Sequence, residues 1–455
     1  MDSRVVDQPL GGCRRRCALA LFALVCLERG PAIASGRPPE ELVDRAATHQ
    51  SLCAKPNVVT LHRSRRLDIH TDLPGEKAQS LAKRLETTLA ALAKYWRRPL
   101  KGRIVCYVVD DLANWTSASF PDPHALTLLT HVKGGAQRSI VRGAEPRLET
   151  RFYATTEPGV AEHELVHAYC LQAFGSCGPD WYKEGMAELA SHYVRGDRQV
   201  HCSAETLRVV QEGAAETCVR AIVEAGEFTA GLRARFETSD RNSPPEDEWL
   251  ADGGRLVRTA RRHYQRSWLL CHFLAHNPNY EDRFQRLGWA YLSGDRTGFQ
   301  GFFRPVTRQL EFEFQLFQRH VNNGYRVDLC AWNWSAEFCE IDGGAAISSW
   351  VMAARGYQPS GLIVAKDQRY EYGATGVWQT DAGGPKTDAD GDASGRGRLE
   401  GVVMGDFEIG DPIPLGASGV LTPSSSGRLY LRCHDDWCLL HDNRGRVKLR
   451  VNRCR

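Results

Sequence analysis

His163 and His167 stand four positions apart in the string His163-Glu164-Leu165-Val166-His167. On a helix that spacing puts both imidazoles on one face. Two neutral imidazoles so placed can hold one Zn²⁺. Glu164, beside the first, is placed to take a proton from metal-bound water. A catalytic zinc needs a third protein ligand and an open fourth position. Downstream, Trp181-Tyr182-Lys183-Glu184-Gly185-Met186-Ala187-Glu188 supplies two carboxylates one helical turn apart. Glu184 is the expected third ligand. Glu188, on the same face, can orient His163 or His167 from behind. The five-residue string alone also occurs on plain surface helices, so the surrounding elements matter.

Those elements are legible. Thr156-Glu157-Pro158-Gly159 reads as a helix start, Gly175 to Pro179 breaks the chain, and a second helix opens near Asp180. Upstream, Val58 to Thr71 alternates apolar and polar residues as strands do. Pro74 starts a helix whose Leu81, Leu85, Leu89 and Leu92 form an apolar stripe, and Ile104 to Val109 reads as a buried strand. Leu126 to Val132 and Glu149 to Thr155 are further expected strands. Residues 195 to 255 are irregular. Helices are expected over Arg255 to His276, Glu281 to Leu292 and Thr307 to His320.

His163-Glu164-x-x-His167 followed by Trp181-x-x-Glu184-Gly185-x-Ala187 resembles the gluzincin metallopeptidases, nearest in pattern to peptidase-MA-like bacterial proteins, over residues 50–325. The resemblance implies zinc held by His163, His167 and Glu184, with Glu164 as general base. It implies a small mixed sheet before the zinc helix, and an edge strand at Glu149 to Thr155 that pairs with extended substrate. It also implies a tyrosine in a Tyr-x-x-small string on a later helix, donating to the oxyanion. Tyr264 with Ser267 matches; core packing is the other reading of Tyr264. The Gly-Ala-Met-Glu-Asn string of the aminopeptidase members is missing, so exopeptidase activity is not implied. The metzincin pattern fails, because Cys170 and Ala173 stand where it requires Gly and His.

Beyond Asn322 the texture turns to glycine-rich turns and short alternating strands, which predicts an all-β sandwich over 345–455. Residues 381–398 read as a low-complexity loop. Tyr372-Gly373-Ala374-Thr375-Gly376-Val377-Trp378, with Asp435 and Asp442-Asn443-x-Gly445, resembles the galactophilic PA-IL-like lectin sandwiches. That resemblance implies Ca²⁺ held by the Tyr372 carbonyl, Asp435, the Leu439 carbonyl, Asp442 and Asn443, all oxygen ligands as calcium prefers. It implies galactose-containing glycans as partners. Asp-Asn-x-Gly is equally a common hairpin turn.

The chain has 455 residues, 42% of them hydrophobic and 25% charged, enough for two or three domains with sizeable cores. Arg14-Arg15-Arg16, the apolar run Cys17 to Leu27 and Ala32-Ile33-Ala34 read as a secretory signal over residues 1–34. Export to the periplasm, the cell envelope or the medium follows. The run is too short to span a membrane. Net charge is +3, and removing five arginines and three acids with the signal leaves about +1. That excludes nucleic-acid binding built on bulk charge. Twelve cysteines would remain of fifteen. Exported chains usually pair them, and the local pairs are Cys170–Cys177, Cys202–Cys218, Cys330–Cys339 and Cys433–Cys438.

Together these readings predict an α+β chain: an exported zinc peptidase with a peptide or protein substrate, followed by a sandwich. The alternative is a carbohydrate-binding adhesion protein on an inactive peptidase scaffold.

Overall fold

The computed structural model describes residues 19–24, 58–141, 147–212, 217–226, 246–342 and 345–454. The fold is α+β. An N-terminal mixed sheet contains β1 (Leu19–Leu24), β2 (Thr60–Arg63), β3 (Leu67–Thr71), β4 (Ile104–Val109), β5 (Lys133–Val141) and β6 (Arg147–Thr155). The strand order is β1-β5-β6-β4-β3-β2. The inner pairs β3–β4 and β4–β6 are parallel, and the outer ones antiparallel. β4 reads Ile-Val-Cys-Tyr-Val-Val without alternation because both its faces are covered. Helix α1 (Gly75–Tyr95) lays Ala78, Leu81, Leu85, Leu89 and Leu92 into the core on one side. Trp115, Phe120 and Leu129 pack against Tyr107 and Tyr153 on the other.

Leu126 to Val132 is not a strand. Helix α2 (Ala125–His131) occupies it, with Ala125 and Leu129 buried four residues apart on one face. The expected strand Glu149 to Thr155 is β6, yet it lies inside the sheet between β5 and β4. On its other side β6 pairs with β5. Along β5 runs β1, antiparallel, Leu19 opposite Arg138 and Leu24 opposite Lys133. β1 belongs to the apolar run read as a signal core. Arg14–Arg16, Ala32–Ala34 and the lead-in 35–55 lie outside the described residues. A chain cut after Ala34 would leave β5 as the free edge.

Helices α3 (Val160–Phe174) and α4 (Asp180–Ser191) follow the sheet. α3 ends at Gly175, whose φ of +81° lets its N–H reach the Cys170 and Leu171 carbonyls. Every α3 residue from Val160 to Leu171 is buried. Helices α5 (Ala204–Glu212) and α6 (Val219–Val223) lie within the stretch read as irregular. Helix α7 (Glu246–His276) packs on α4, and α8 (Glu281–Ser293), α9 (Gly298–Phe303), α10 (Thr307–His320) and α11 (Val327–Cys330) complete the helical part.

The C-terminal sandwich stacks two antiparallel sheets. One has β8 (Gln358–Val364), β10 (Leu399–Gly405), β11 (Glu408–Ile409), β12 (Ile413–Pro414) and β14 (Gly427–Cys433). The other has β7 (Ala346–Met352), β9 (Tyr370–Gln379), β13 (Ser418–Leu421) and β15 (Arg444–Arg453). Val351, Leu362, Trp378, Leu399, Leu429 and Val447 fill its core. It is docked on the helices: Phe312 and Leu316 of α10 share a cluster with Tyr357, Val402 and Tyr430. At that joint the buried Glu313 carboxylate accepts from Asn277, Asn279, Tyr280, the Trp332 N–H and Trp334.

The described cysteines are free thiols. Cys433 sits in the sandwich core and Cys438 in the helical core, so that expected pair is separated by the fold. Cys330 is buried while Cys339 is exposed. Cys170 and Cys177 face each other without a bond, and the Cys177 thiol lies 3.6 Å from the His167 carbonyl. Cys202 and Cys218 are likewise unbonded, Cys218 capping α6 at the Ala221 N–H.

Candidate metal centre

α3 presents His163, Glu164 and His167, and α4 presents Glu184 and Glu188. Glu184 Oε2 lies 3.3 Å from His163 Nε2 and 3.4 Å from His167 Nε2. The three ligand atoms fall within 4.8 Å of one another, the one such cluster among the described residues. Ligands about 2.0–2.2 Å from a shared zinc would sit at this separation. Glu188 stands behind them, Oε1 3.3 Å from His163 Nδ1 and Oε2 3.8 Å from His192 Nε2.

α4 can approach this closely because residue 185 is glycine. A Cβ there would fall 2.5 Å from Cys271 Sγ and 2.6 Å from the Ser267 carbonyl oxygen on α7. Glu164 faces the other way, toward β5, where a Cβ on Gly134 would come 2.8 Å from its Oε1. Beside His163 opens a cavity of about 550 Å³, lined in part by Glu188, His192, Tyr264 and Gln265. The Tyr264 ring meets the His163 ring edge-on at 6.4 Å.

The donor set fits a cation. His163 Nε2, His167 Nε2 and both oxygens of Glu184 are buried without a well-formed hydrogen bond, and so are both oxygens of Glu164. Such groups are costly unless something else satisfies them. Burial lowers both imidazoles, but the carboxylates outweigh it. Glu184 and Glu188 raise His163 to about 10, and Glu184 above all raises His167 to about 9. Without a metal the site thus gathers protons onto its histidines, which a divalent ion would replace. Burial pushes Glu184 up, yet Lys183, 3.2 Å from its Oε1, and His167 hold it well below the usual carboxylate range. Lys183 is itself anchored on Asp180 at 2.5 Å. Burial pushes Glu164 up to about 7. Burial and the Glu184 charge keep the Tyr264 phenol protonated, hence a donor.

The expected calcium ligands do not gather in this way. Tyr372 pairs with Val451 on β15, eight residues beyond Asn443. At about 3.3 Å per residue that is roughly 25 Å from the Asp442-Asn443 loop, so the Tyr372 carbonyl is no partner to it. Gln379 pairs with Arg444 instead, which brings Thr380 and Asp381 to the loop. The Leu439 carbonyl accepts from the Asp442 N–H at 3.4 Å. Asp435 is engaged by the Arg396 guanidinium, Nε to Oδ1 at 2.6 Å. The Asp442 and Asn443 Oδ1 atoms remain buried and unpaired.

Sequence reading missed Arg396, hidden in what passed for a low-complexity loop, and the Asp180–Lys183 prop. β5 was missed as well, because its Gly134-Gly135 start disfavours a strand by propensity.

No family model matches the sequence, and no curated protein matches it. Among solved structures, the N-terminal domain of EclA, described as a PllA-like lectin, is similar to 24% of this chain and 96% of its own length, at 18% identity and a TM-score of 0.21. No described helix is long and apolar enough to cross a membrane.

Proposed function

We propose that the chain is a zinc-dependent hydrolase acting on peptide bonds. The observation that carries this reading is the convergence of His163, His167 and Glu184, with Glu164 buried and unpartnered beside them. His163, His167 and Glu184 would hold the ion, which supplies Lewis acidity and acidifies water when bound. Glu164 accepts the proton of the attacking water and returns it to the leaving amine. Tyr264, from α7, donates its hydroxyl to the oxyanion. Glu188 fixes the His163 ring by accepting at Nδ1.

A peptide substrate is favoured over other acyl compounds by β5. An extended segment, β1, lies antiparallel along the edge that carries Gly134, against which Glu164 rests. Strand addition of this kind binds any extended peptide through its backbone. The gluzincin resemblance points the same way, and the signal-like N-terminus supports export. The rival reading, an adhesion scaffold binding glycans through the sandwich, leaves Glu164 without a task, since a purely structural zinc site needs no general base.

The test is metal analysis of the purified chain together with cleavage of casein and a peptide library. One equivalent of zinc with chelator-sensitive cleavage is expected. A zinc-loaded chain that cleaves neither would favour the adhesion reading, which retention on immobilised galactose would then examine.

A further inference from the structure

The geometry points to Arg396 as the built-in cation of the sandwich: its guanidinium takes the place of a divalent ion among Asp381, Asp435 and the Thr380 carbonyl, so this end of the domain works without calcium. The inference is independent of the hydrolase reading.

Arg396 Nε donates to Asp435 Oδ1 at 2.6 Å, and one Nη reaches Asp435 Oδ2 at 3.4 Å. The same Nη donates to the Thr380 carbonyl. The other Nη lies 2.9 Å from Asp381 Oδ2 and 2.8 Å from its Oδ1. The Asp436 N–H adds a further bond to Asp435 Oδ1 at 2.8 Å. Both oxygens of the buried Asp435 are therefore in use. A planar fork of N–H donors meets carboxylates in this way, whereas calcium needs six to eight oxygens at 2.3–2.6 Å. A calcium ion bound through Asp435 would have to expel the guanidinium or sit beside its charge.

The loop that carries Arg396 is built to hold it there. Asp392 Oδ1 accepts from the Ser394 N–H at 2.9 Å, the Ser394 hydroxyl at 2.6 Å and the Arg396 N–H at 3.0 Å. The Asp392 N–H closes the turn on the Arg396 carbonyl at 2.8 Å. The next residue, Gly397, is pinned from both sides. Its carbonyl accepts from the buried Trp378 indole at 2.6 Å, and its N–H donates to the His434 carbonyl at 2.8 Å. The guanidinium is thus aimed by a turn anchored on the core and on the strand end next to Asp435. Such an arrangement loses little side-chain freedom on forming its bonds.

The consequence is chemical. Three carboxylates, Asp381, Asp435 and Asp442, come to one end of the sandwich; the Arg396 guanidinium pairs with the first two, whereas Arg432 reaches only the Asp435 backbone carbonyl. Any ligand taken there meets protein donors and acceptors directly, with no metal bridge.

The experiment uses the full-length chain in chelator-free buffer. Calcium is titrated to about 10 mM, above the range in which extracellular sites bind it, with calorimetry and the melting midpoint as readouts. The wild type is expected to show no saturable heat and no shift of the midpoint. Arg396→Ala should melt lower without calcium and regain stability as calcium is added, because its carboxylates now lack a cation. Arg396→Lys, which keeps the charge, should stay insensitive to calcium. Stoichiometric calcium binding by the wild type would overturn the inference. So would an Arg396→Ala chain as stable as the wild type in calcium-free buffer. If Arg396→Ala does not fold, the wild-type titration decides alone.

Discussion

Gly185→Ala should damage the metal centre without touching any ligand. The new Cβ would lie 2.5 Å from Cys271 Sγ and 2.6 Å from the Ser267 carbonyl oxygen, where ordinary contact begins at 3.4 Å. α4 must therefore withdraw from α7 by roughly 1 Å. Glu184 is the preceding residue on the same helix and moves with it, while zinc–ligand distances tolerate only about 0.2 Å. Overpacking of this kind costs about 1–3 kcal/mol of stability. We expect zinc affinity to fall about 10–100-fold, as when a supporting residue is lost, and the rate by about 10² from misplacement of the reacting groups. Zinc competition against a chromophoric chelator gives the first number, and cleavage at saturating zinc the second. Cys271→Ala in the same chain removes the sulfur but leaves the Ser267 backbone oxygen, so it should rescue little. Wild-type affinity and rate in Gly185→Ala, or full rescue by Cys271→Ala, would refute the packing argument.

Tyr264→Phe should keep zinc and lose roughly 10²–10³ in rate if the phenol serves the oxyanion; a loss under about threefold would return Tyr264 to core packing. Glu313→Ala leaves five donors without their acceptor at the joint between helices and sandwich, three of them, from Asn277, Tyr280 and Trp332, on buried residues. It should cost at least about 3 kcal/mol in a urea melt followed by tryptophan emission, and a change below about 1 kcal/mol would show that the joint does not depend on it. Burial pushes the Asp72 carboxyl up, but bonds from Asn114 and from the Asp110 and Asp111 N–H groups win and hold it below its ordinary value. A depressed carboxylate contributes stability that is complete above the unfolded pKa of about 3.9 and is lost as pH falls through the folded one. Asp72→Asn should therefore flatten the stability curve below about pH 4, and an unchanged slope there would count against it.

Much of the centre was legible because its cues are local. The spacing of His163 and His167, the helix stop at Gly175 and the restart at Asp180 each act over a single turn. The parts that were not legible depend on partners far along the chain. Leu126 to Val132 carries apolar residues that suit either period, and burial of Ala125 with Leu129 settles it as a helix. β5 begins Lys-Gly-Gly-Ala, a poor strand by propensity, and its Gly134 is explained by the Glu164 carboxylate against it. Tyr372 belonged to a convincing string, but strand register, set by the pairing of β9 with β15, puts it far from Asn443. Arg396 carried no motif at all, since its role rests on Asp435 in a different strand connection. Even cysteine count suggested bridges, whereas two separate cores divide Cys433 from Cys438.

Glu164 is proposed as the proton acceptor of a zinc hydrolase. Its most direct test is peptide cleavage by Glu164→Gln and wild type, each with its bound zinc quantified. The amide keeps the shape and neighbours of the carboxylate and removes only its basicity. Equal zinc in both chains and cleavage in the wild type alone are expected. Equal cleavage by a zinc-loaded Glu164→Gln chain would contradict that role.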